Sequence, residues 1–326
     1  MARVLSQQDV ISLLETDALV EEIERAQTEF SQGSCIQPPR SGFDIPRYSG
    51  LMESLSAYFE KGNKLGIKVL NSRFGNPKKG LPLIYASILL FDPEDGSLLC
   101  IMDGGALTAA RTAAGSAVAT RHLSRKESHS CSIIGTGRQG RTHLRSISAV
   151  RKITSVSIYD IDGDAALRFE EEMEAELGIP ITVHQSVREA VAEADIIALC
   201  TTSDKPVLYR EWVGKGVHIN SIASYSPDIC EIDSSLVHAA RVFTDSRDEA
   251  LHGAGDLLIP IEEGLFTEEH LLGEIGEVCA GTLEGRTSPD QITLYKSMGL
   301  AIQDVAAAGY IYQRALEQKK GEEIAL

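Results

Sequence analysis

The stretch Ser130-Cys-Ser-Ile-Ile-Gly135-Thr-Gly137-Arg138-Gln139-Gly140, continued through a polar run to Ser155-Val-Ser-Ile-Tyr-Asp160, decides the fold. Cys131, Ile133 and Ile134 read as a short apolar strand, residues 142–150 as a helix, and Val156, Ile158 and Tyr159 as a second strand. Gly135, Gly137 and Gly140 complete a G-x-G-x-x-G between the first strand and the helix, and Asp160 follows twenty residues after Gly140. A glycine triplet alone is a weak signal; with a strand before it, a helix after it and an acid at this distance it predicts a dinucleotide-binding βαβ unit. In that unit the first glycine permits the tight turn, the second admits a pyrophosphate close to the backbone, and the third lets helix and strand pack. The free N–H groups and positive dipole end of the helix face the phosphates.

Asp160 refines the cofactor. A carboxylate there accepts from both ribose hydroxyls of NAD and repels the 2′-phosphate of NADP. The next residues, Ile161, Asp162, Gly163 and Asp164, include no base. NAD(H) is therefore expected over NADP(H). The chain has 326 residues and is 43% hydrophobic, enough for two domains with their own cores. Its net charge of −16 argues against nucleic acid or an anionic membrane surface as partner. Neither a signal peptide nor a run of membrane-spanning length is visible, which points to a cytoplasmic protein. The six cysteines form no C-x-x-C pair, so buried reduced thiols are expected rather than a metal site or a disulfide framework.

Along the chain, residues 6–31 have helical spacing, and residues 50–58, 65–72, 83–92 and 98–103 read as strands of a mixed α+β region. A helix of small residues over 107–123 carries Arg111 as the large charged group of its first half. After Asp160, strands at 181–184, 195–200, 217–220 and 241–244 alternate with helices, which predicts a doubly wound parallel sheet. A helix over 299–316 closes the chain, and the polar tail after Gln318 is expected to fray. The fold class is thus α/β: a Rossmann-type domain plus a mixed α+β domain.

Three basic residues stand in apolar or stiff surroundings: Arg40 after Pro38-Pro39, Lys68 in Leu-Gly-Ile-Lys-Val-Leu, and Arg111 among alanines. Such a charge is usually paired or reaches water along its stem. Taken together the three suggest an anion pocket, with arginine suited to a carboxylate and a desolvated lysine to proton transfer.

Several motifs in order resemble the ornithine cyclodeaminase/mu-crystallin family: Gln37-Pro-Pro-Arg40, Gly66-Ile-Lys68-Val, Leu89-Leu-Phe-Asp92, Asp103, Thr108-Ala-Ala-Arg111-Thr112-Ala-Ala and Ile134-Gly-Thr-Gly-Arg-Gln139. Glu274-Ile-Gly-Glu277-Val, Gly281-Thr-Leu-Glu-Gly285-Arg286 and Ile292-Thr-Leu-Tyr-Lys-Ser297-Met298-Gly299-Leu-Ala-Ile-Gln-Asp304 extend the resemblance over nearly the whole chain. It implies a homodimer, with residues 1–122 and 300–326 as substrate-binding and dimerisation domain and residues 123–299 as NAD-binding domain. By the same resemblance Arg40 and Arg111 hold the substrate α-carboxylate and Lys68 is the catalytic lysine. Glu53 lies near the substrate amine. Thr112 contacts phosphate along with the glycine loop and its Arg138 and Gln139. Thr201 and Thr202 border the adenosine side, and Asn220, Ser297, Met298 and Gly299 line the nicotinamide site.

One position departs from the cyclodeaminases, which carry an aspartate where this chain has Tyr225. A neutral tyrosine cannot supply that anionic contact. The expected activity is therefore NAD(H)-dependent oxidoreduction of an amino acid/imino acid couple, on a small amino, imino or keto acid. Cyclodeamination, which Glu53 favours and Tyr225 disfavours, and a non-enzymatic mu-crystallin-like binding protein are the alternatives.

Overall fold

The computed structural model describes residues 1–222 and 226–325. The chain divides into two units, Met1–Arg111 with Leu300–Leu326, and Thr112–Gly299.

In the first unit, alternation writes the sheet. Strand β1 (Ala2–Leu5) leads to helices α1 (Gln7–Leu13) and α2 (Thr16–Ser31). Ser6 starts α1 with a capping box in which Asp9 answers its backbone. Strands β2 (Cys35–Ile36), β3 (Ser41–Ile45), β4 (Gly50–Phe59), β5 (Lys64–Arg73), β6 (Ile84–Phe91) and β7 (Leu98–Asp103) follow, and helix α3 (Gly104–Leu123) leaves the unit after Arg111. The chain returns as α11 (Ala301–Gln318) and β16 (Glu322–Ile324). The sheet order is β16-β1-β7-β6-β5-β4-β2, with β3 paired to β4. The register puts Leu55, Lys68, Ile88 and Met102 side by side on one face, all buried. Helix α11 packs on this face, and Gly66 permits the approach: a Cβ there would lie 3.1 Å from Val305. The opposite face carries Phe43, Met52, Asn71 and Tyr85 in one row; Phe43 and Tyr85 are exposed.

The second unit is built on β8 (Ser130–Ile134), α4 (Arg138–Val150), β9 (Ser155–Tyr159), α5 (Gly163–Leu177), β10 (Ile181–Val183), α6 (Val187–Val191) and β11 (Ile196–Leu199). It continues through β12 (His218–Ser221), α7 (Ser234–Ala239), β13 (Ala240–Thr244), α8 (Arg247–Gly253) and α9 (Gly255–Glu262). It ends with β14 (Leu271–Glu274), α10 (Ile275–Cys279) and β15 (Ile292–Lys296). All eight strands are parallel, in the order β10-β9-β8-β11-β12-β15-β13-β14. The order reverses direction between β8 and β11, the point in such sheets where ligands bind outside the carboxyl ends of the strands. Apolar clusters cover both faces, and every residue of β11 is buried, as expected of a central parallel strand.

The elements differ from the sequence reading in places. Helix α3 begins three residues earlier than its small-residue run suggests, and α4 starts at Arg138, directly on the glycine loop. The tail after Gln318 pairs instead of fraying: β16 runs antiparallel to β1, and Arg3 and Glu323 form an ion pair across it. Among the described residues no helix is long and apolar enough to cross a membrane.

Candidate active site

In the first unit, β5 presents Lys68 on the face that α11 covers, and α3 presents Arg111. Lys68 Nζ lies 2.6 Å from Asp304 Oδ2, and Arg111 Nε donates to Asp304 Oδ1 at 2.9 Å. Lys68 is 3% exposed and Asp304 0%. Arg111 Nη1 also donates to Gln303 Oε1 at 2.8 Å. Arg40 lies near enough for its charge to act on Lys68. Its approach is set by Gln37, whose Oε1 accepts from the Ile302 amide at 3.0 Å, so the stiff Pro38-Pro39 step starts from a fixed point on α11. Glu53 shares the Lys68 face one step along β4, since Leu55 is the residue opposite Lys68 and Glu53 the next on that face.

Burial pushes Lys68 down to about 8; Asp304 opposes the shift, while Arg111 and Arg40 add to it. One buried carboxylate thus serves two buried cations, with a third cation beside them. Lys68, Arg111 and Asp304 by themselves are one negative charge short of balance, and an unbalanced buried charge is costly. Gln303 points the same way. Its Oε1 is engaged by Arg111 and by the Leu300 amide, while its buried Nε2 has no acceptor. An anionic ligand answers both deficits.

In the second unit the glycine loop has the shape its sequence requires. Gly135 has φ +94°, and a Cβ on it would lie 2.5 Å from the Cys200 carbonyl oxygen. A Cβ on Gly140 would overlap the Gly135 carbonyl oxygen, whereas one on Gly137 would meet nothing within 4 Å. No side chain caps α4 at its Gly137 N-cap, so the open side of Gly137 and the helix N-terminus coincide. The buried Oε1 of Gln139 has no hydrogen-bond partner, and Arg138 is exposed. The open side of Gly137 and the uncapped helix N-terminus fit a dinucleotide pyrophosphate. Asp160 stands at the end of β9, where Oδ2 accepts from the Thr136 amide at 2.6 Å and from its hydroxyl at 2.8 Å. Asp160 Oδ1 accepts from the Asp162 amide. This carboxylate thus holds the glycine loop.

Thr112 is buried in α3. Thr201 donates to Glu231 Oε1 at 2.8 Å, and Thr202 is exposed. Asn220 is fully buried at the carboxyl end of β12 and donates to the Thr120 hydroxyl. Ser297, Met298 and Gly299 follow β15 and are gathered by Asp245. Tyr225 lies outside the described residues.

Sequence reasoning missed the groups that hold these residues: Asp304, Gln303 and Gln37 in the first unit, and Asp245, Glu231, Asp256 and Lys296 in the second. Lys296 Nζ pairs with Asp256 Oδ2 at 2.7 Å, both fully buried, beneath Glu231. Burial pushes Glu231 up to about 7, Lys296 opposing and Asp256 adding. A signal was present for Gln303-Asp304: a polar pair inside the alanine-rich run of α11, on no polar face.

A sequence model of the ornithine cyclodeaminase/mu-crystallin family matches residues 1–319. A delta(1)-pyrroline-2-carboxylate reductase of Bacillus cereus is 34% identical over 322 residues, covering 98% of this chain and 99% of the relative. The solved structure of the Thermococcus litoralis delta(1)-pyrroline-2-carboxylate reductase, in complex with NADH and L-proline, has a TM-score of 0.96 at 39% identity, covering 99% of this chain and 100% of its own. An archaeal alanine dehydrogenase dimer with bound NAD has a TM-score of 0.93 at 34% identity, covering 99% of each chain.

Proposed function

The chain belongs to the ornithine cyclodeaminase/mu-crystallin family, and from that membership and the Lys68–Arg111–Asp304 geometry we propose that it reduces a small cyclic α-imino acid, of the delta(1)-pyrroline-2-carboxylate kind, with NADH. It is an oxidoreductase acting on carbon–nitrogen bonds. The observation that carries the substrate class is the pair of buried cations, Lys68 and Arg111, on the single carboxylate of Asp304, with Arg40 alongside. Lys68, Arg111 and Asp304 together lack one negative charge, and the α-carboxylate of an imino acid supplies it.

Arg40 and Arg111 hold the carboxylate, and the free Nε2 of Gln303 adds a donor. Lys68 delivers a proton at the substrate nitrogen. Its value of about 8 lets a useful fraction exist in either protonation state near neutrality, which suits a group that gives a proton in one direction and takes it in the other. Asp304 keeps the ammonium aimed and charged between turnovers. The glycine loop, Gln139 and Asp160 are the groups that would hold the dinucleotide, which supplies the hydride when bound. Asp160 supports NADH over NADPH, because a 2′-phosphate would meet its carboxylate.

Loss of NADH absorbance with cyclic imino acids tests the reading. Turnover with these and little with NADPH is the expected result; ammonia release from ornithine without net NADH change would transfer the assignment to cyclodeamination. We further propose a homodimer through the sheet face of the first unit opposite α11. Phe43 and Tyr85 are exposed there, and Met52, Ile67, Val69 and Leu89 are half-buried on the same face. Contiguous apolar surface of this kind marks an interface. Sedimentation at the mass of one chain would count against it, and Tyr85→Lys is expected to shift a dimer toward monomer.

A further inference from the structure

The residue after β13, Asp245, is 1% exposed and accepts hydrogen bonds from the turn that follows β15 and from its own neighbour Ser246. The Met298 amide donates to Oδ1 at 2.9 Å and the Gly299 amide to Oδ2 at 2.8 Å. The Ser297 hydroxyl donates to Oδ2 at 3.0 Å, and the Ser246 amide to Oδ1 at 3.1 Å. Next to it, Thr244 donates its hydroxyl to the Lys296 carbonyl at 2.8 Å, which ties the ends of the adjacent strands β13 and β15 together. Gly299 has φ +77°, a left-handed conformation that glycine adopts without strain, so the turn is open to being fixed by its hydrogen bonds. Hydrogen bonds from N–H groups to an ionised carboxylate are among the stronger ones in proteins. The carboxylate also fills the anion-binding hollow these amides would otherwise offer, which leaves the phosphates to the N-terminus of α4.

We propose that Asp245 is a positioning residue for the cofactor: its carboxylate sets Ser297, Met298 and Gly299 in the conformation that lines the nicotinamide ring. The inference rests on the reading of these three residues as cofactor-lining. It follows from the location of the turn, at the carboxyl end of a strand in a parallel sheet where such ligands bind, and from the number of hydrogen bonds on one buried group. A turn held by the protein's own carboxylate lowers the cost of ordering it on binding.

Asp245→Asn removes the charge and turns one acceptor into a donor facing N–H groups. NADH and ADP-ribose, which lacks the nicotinamide, are titrated against both proteins by calorimetry. The expected result is a rise in the NADH Kd of about tenfold or more, with ADP-ribose binding unchanged. Equal losses for both ligands would reduce Asp245 to a general structural role, and an unchanged NADH Kd would overturn the proposal outright. If the wild-type chain binds neither ligand, the cofactor reading itself fails and takes this inference with it. Amide exchange in the wild-type, cofactor-free protein gives an answer even if the variant does not fold. Slow exchange at Met298 and Gly299 supports the proposal, and exchange at the rate of an open loop overturns it.

Discussion

At the scale of single residues, the proposed chemistry turns on how Lys68 and Arg111 divide one acid. Replacing Lys68 with Met leaves Asp304 paired to Arg111, so the variant is expected to fold. Its imine reduction should fall by roughly 10²–10⁴-fold, the usual worth of a general acid. Asp304→Asn leaves two buried cations without their counter-charge and should destabilise by ~3–5 kcal/mol. Urea unfolding of the two variants separates these roles, and equal stabilities would refute the sharing of Asp304. The pH profile of kcat/KM for reduction should be level below about 8, where Lys68 keeps its proton, and fall above it; oxidation should rise through the same region. A profile for Lys68→Met that retains this break would assign it to another group. The cations of the site were legible in sequence because each interrupts an apolar or rigid run. Asp304 was passed over, although with Gln303 it interrupts an apolar run, because an acid in the first turn of a helix also reads as a favourable dipole contact. Only the register of β5 and the placement of α11 give it two partners.

At the scale of elements, the glycine loop separates what a fold needs from what a ligand needs. Gly140→Ala places a methyl against the Gly135 carbonyl and should cost ~1–3 kcal/mol of stability, as overpacking does. Gly137→Ala meets open space, so its melting temperature should stay at the wild-type value while NADH binding weakens by roughly an order of magnitude. Thermal melts and NADH titration on both variants check the pair, and a Gly137→Ala protein that binds NADH normally would move the pyrophosphate elsewhere. Periodicity found β4 through β7 to within a residue or two at either end, because two hydrophobic faces of one sheet write a strong pattern. It missed β1, β2, β3, β14, β15 and β16, all of five residues or fewer. Their pairing is decided by partners far away in the chain: Ala2 faces Ile324, and Cys35 faces Phe59. The start of α4 was set too late because Arg138, Gln139 and Arg141 hide the helix from a hydrophobic pattern, although the loop geometry demands it.

At the scale of the whole molecule, the acid side of the stability curve is governed by buried groups of the second unit. Burial holds His143 down at about 4 and His218 at about 3, against 6.5 in a free chain. As pH falls below 6.5, the unfolded chain takes up two protons that the native unit refuses, and stability drops. Glu231 acts in the opposite sense: burial lifts it to about 7 from 4.5, so over that range the native unit gains a proton that the unfolded chain does not. Between pH 6.5 and 4.5 the balance is one proton in favour of the unfolded state, a loss of ~1.4 kcal/mol per pH unit. Glu231→Gln removes the offset and should double that slope, to ~2.8 kcal/mol per pH unit over the same interval. Trp212, the single tryptophan, lies in this unit and reports its unfolding in urea at each pH. Asp195, held low chiefly by hydrogen bonds from His129 and Ser130 against the opposing effect of burial, titrates below the interval and leaves the comparison clean. Equal slopes in the two proteins would mean that Glu231 is ionised at neutral pH. In that case the carboxylate joining Thr201 to Ser221 would carry its charge throughout the working range, with Lys296 balancing both it and Asp256.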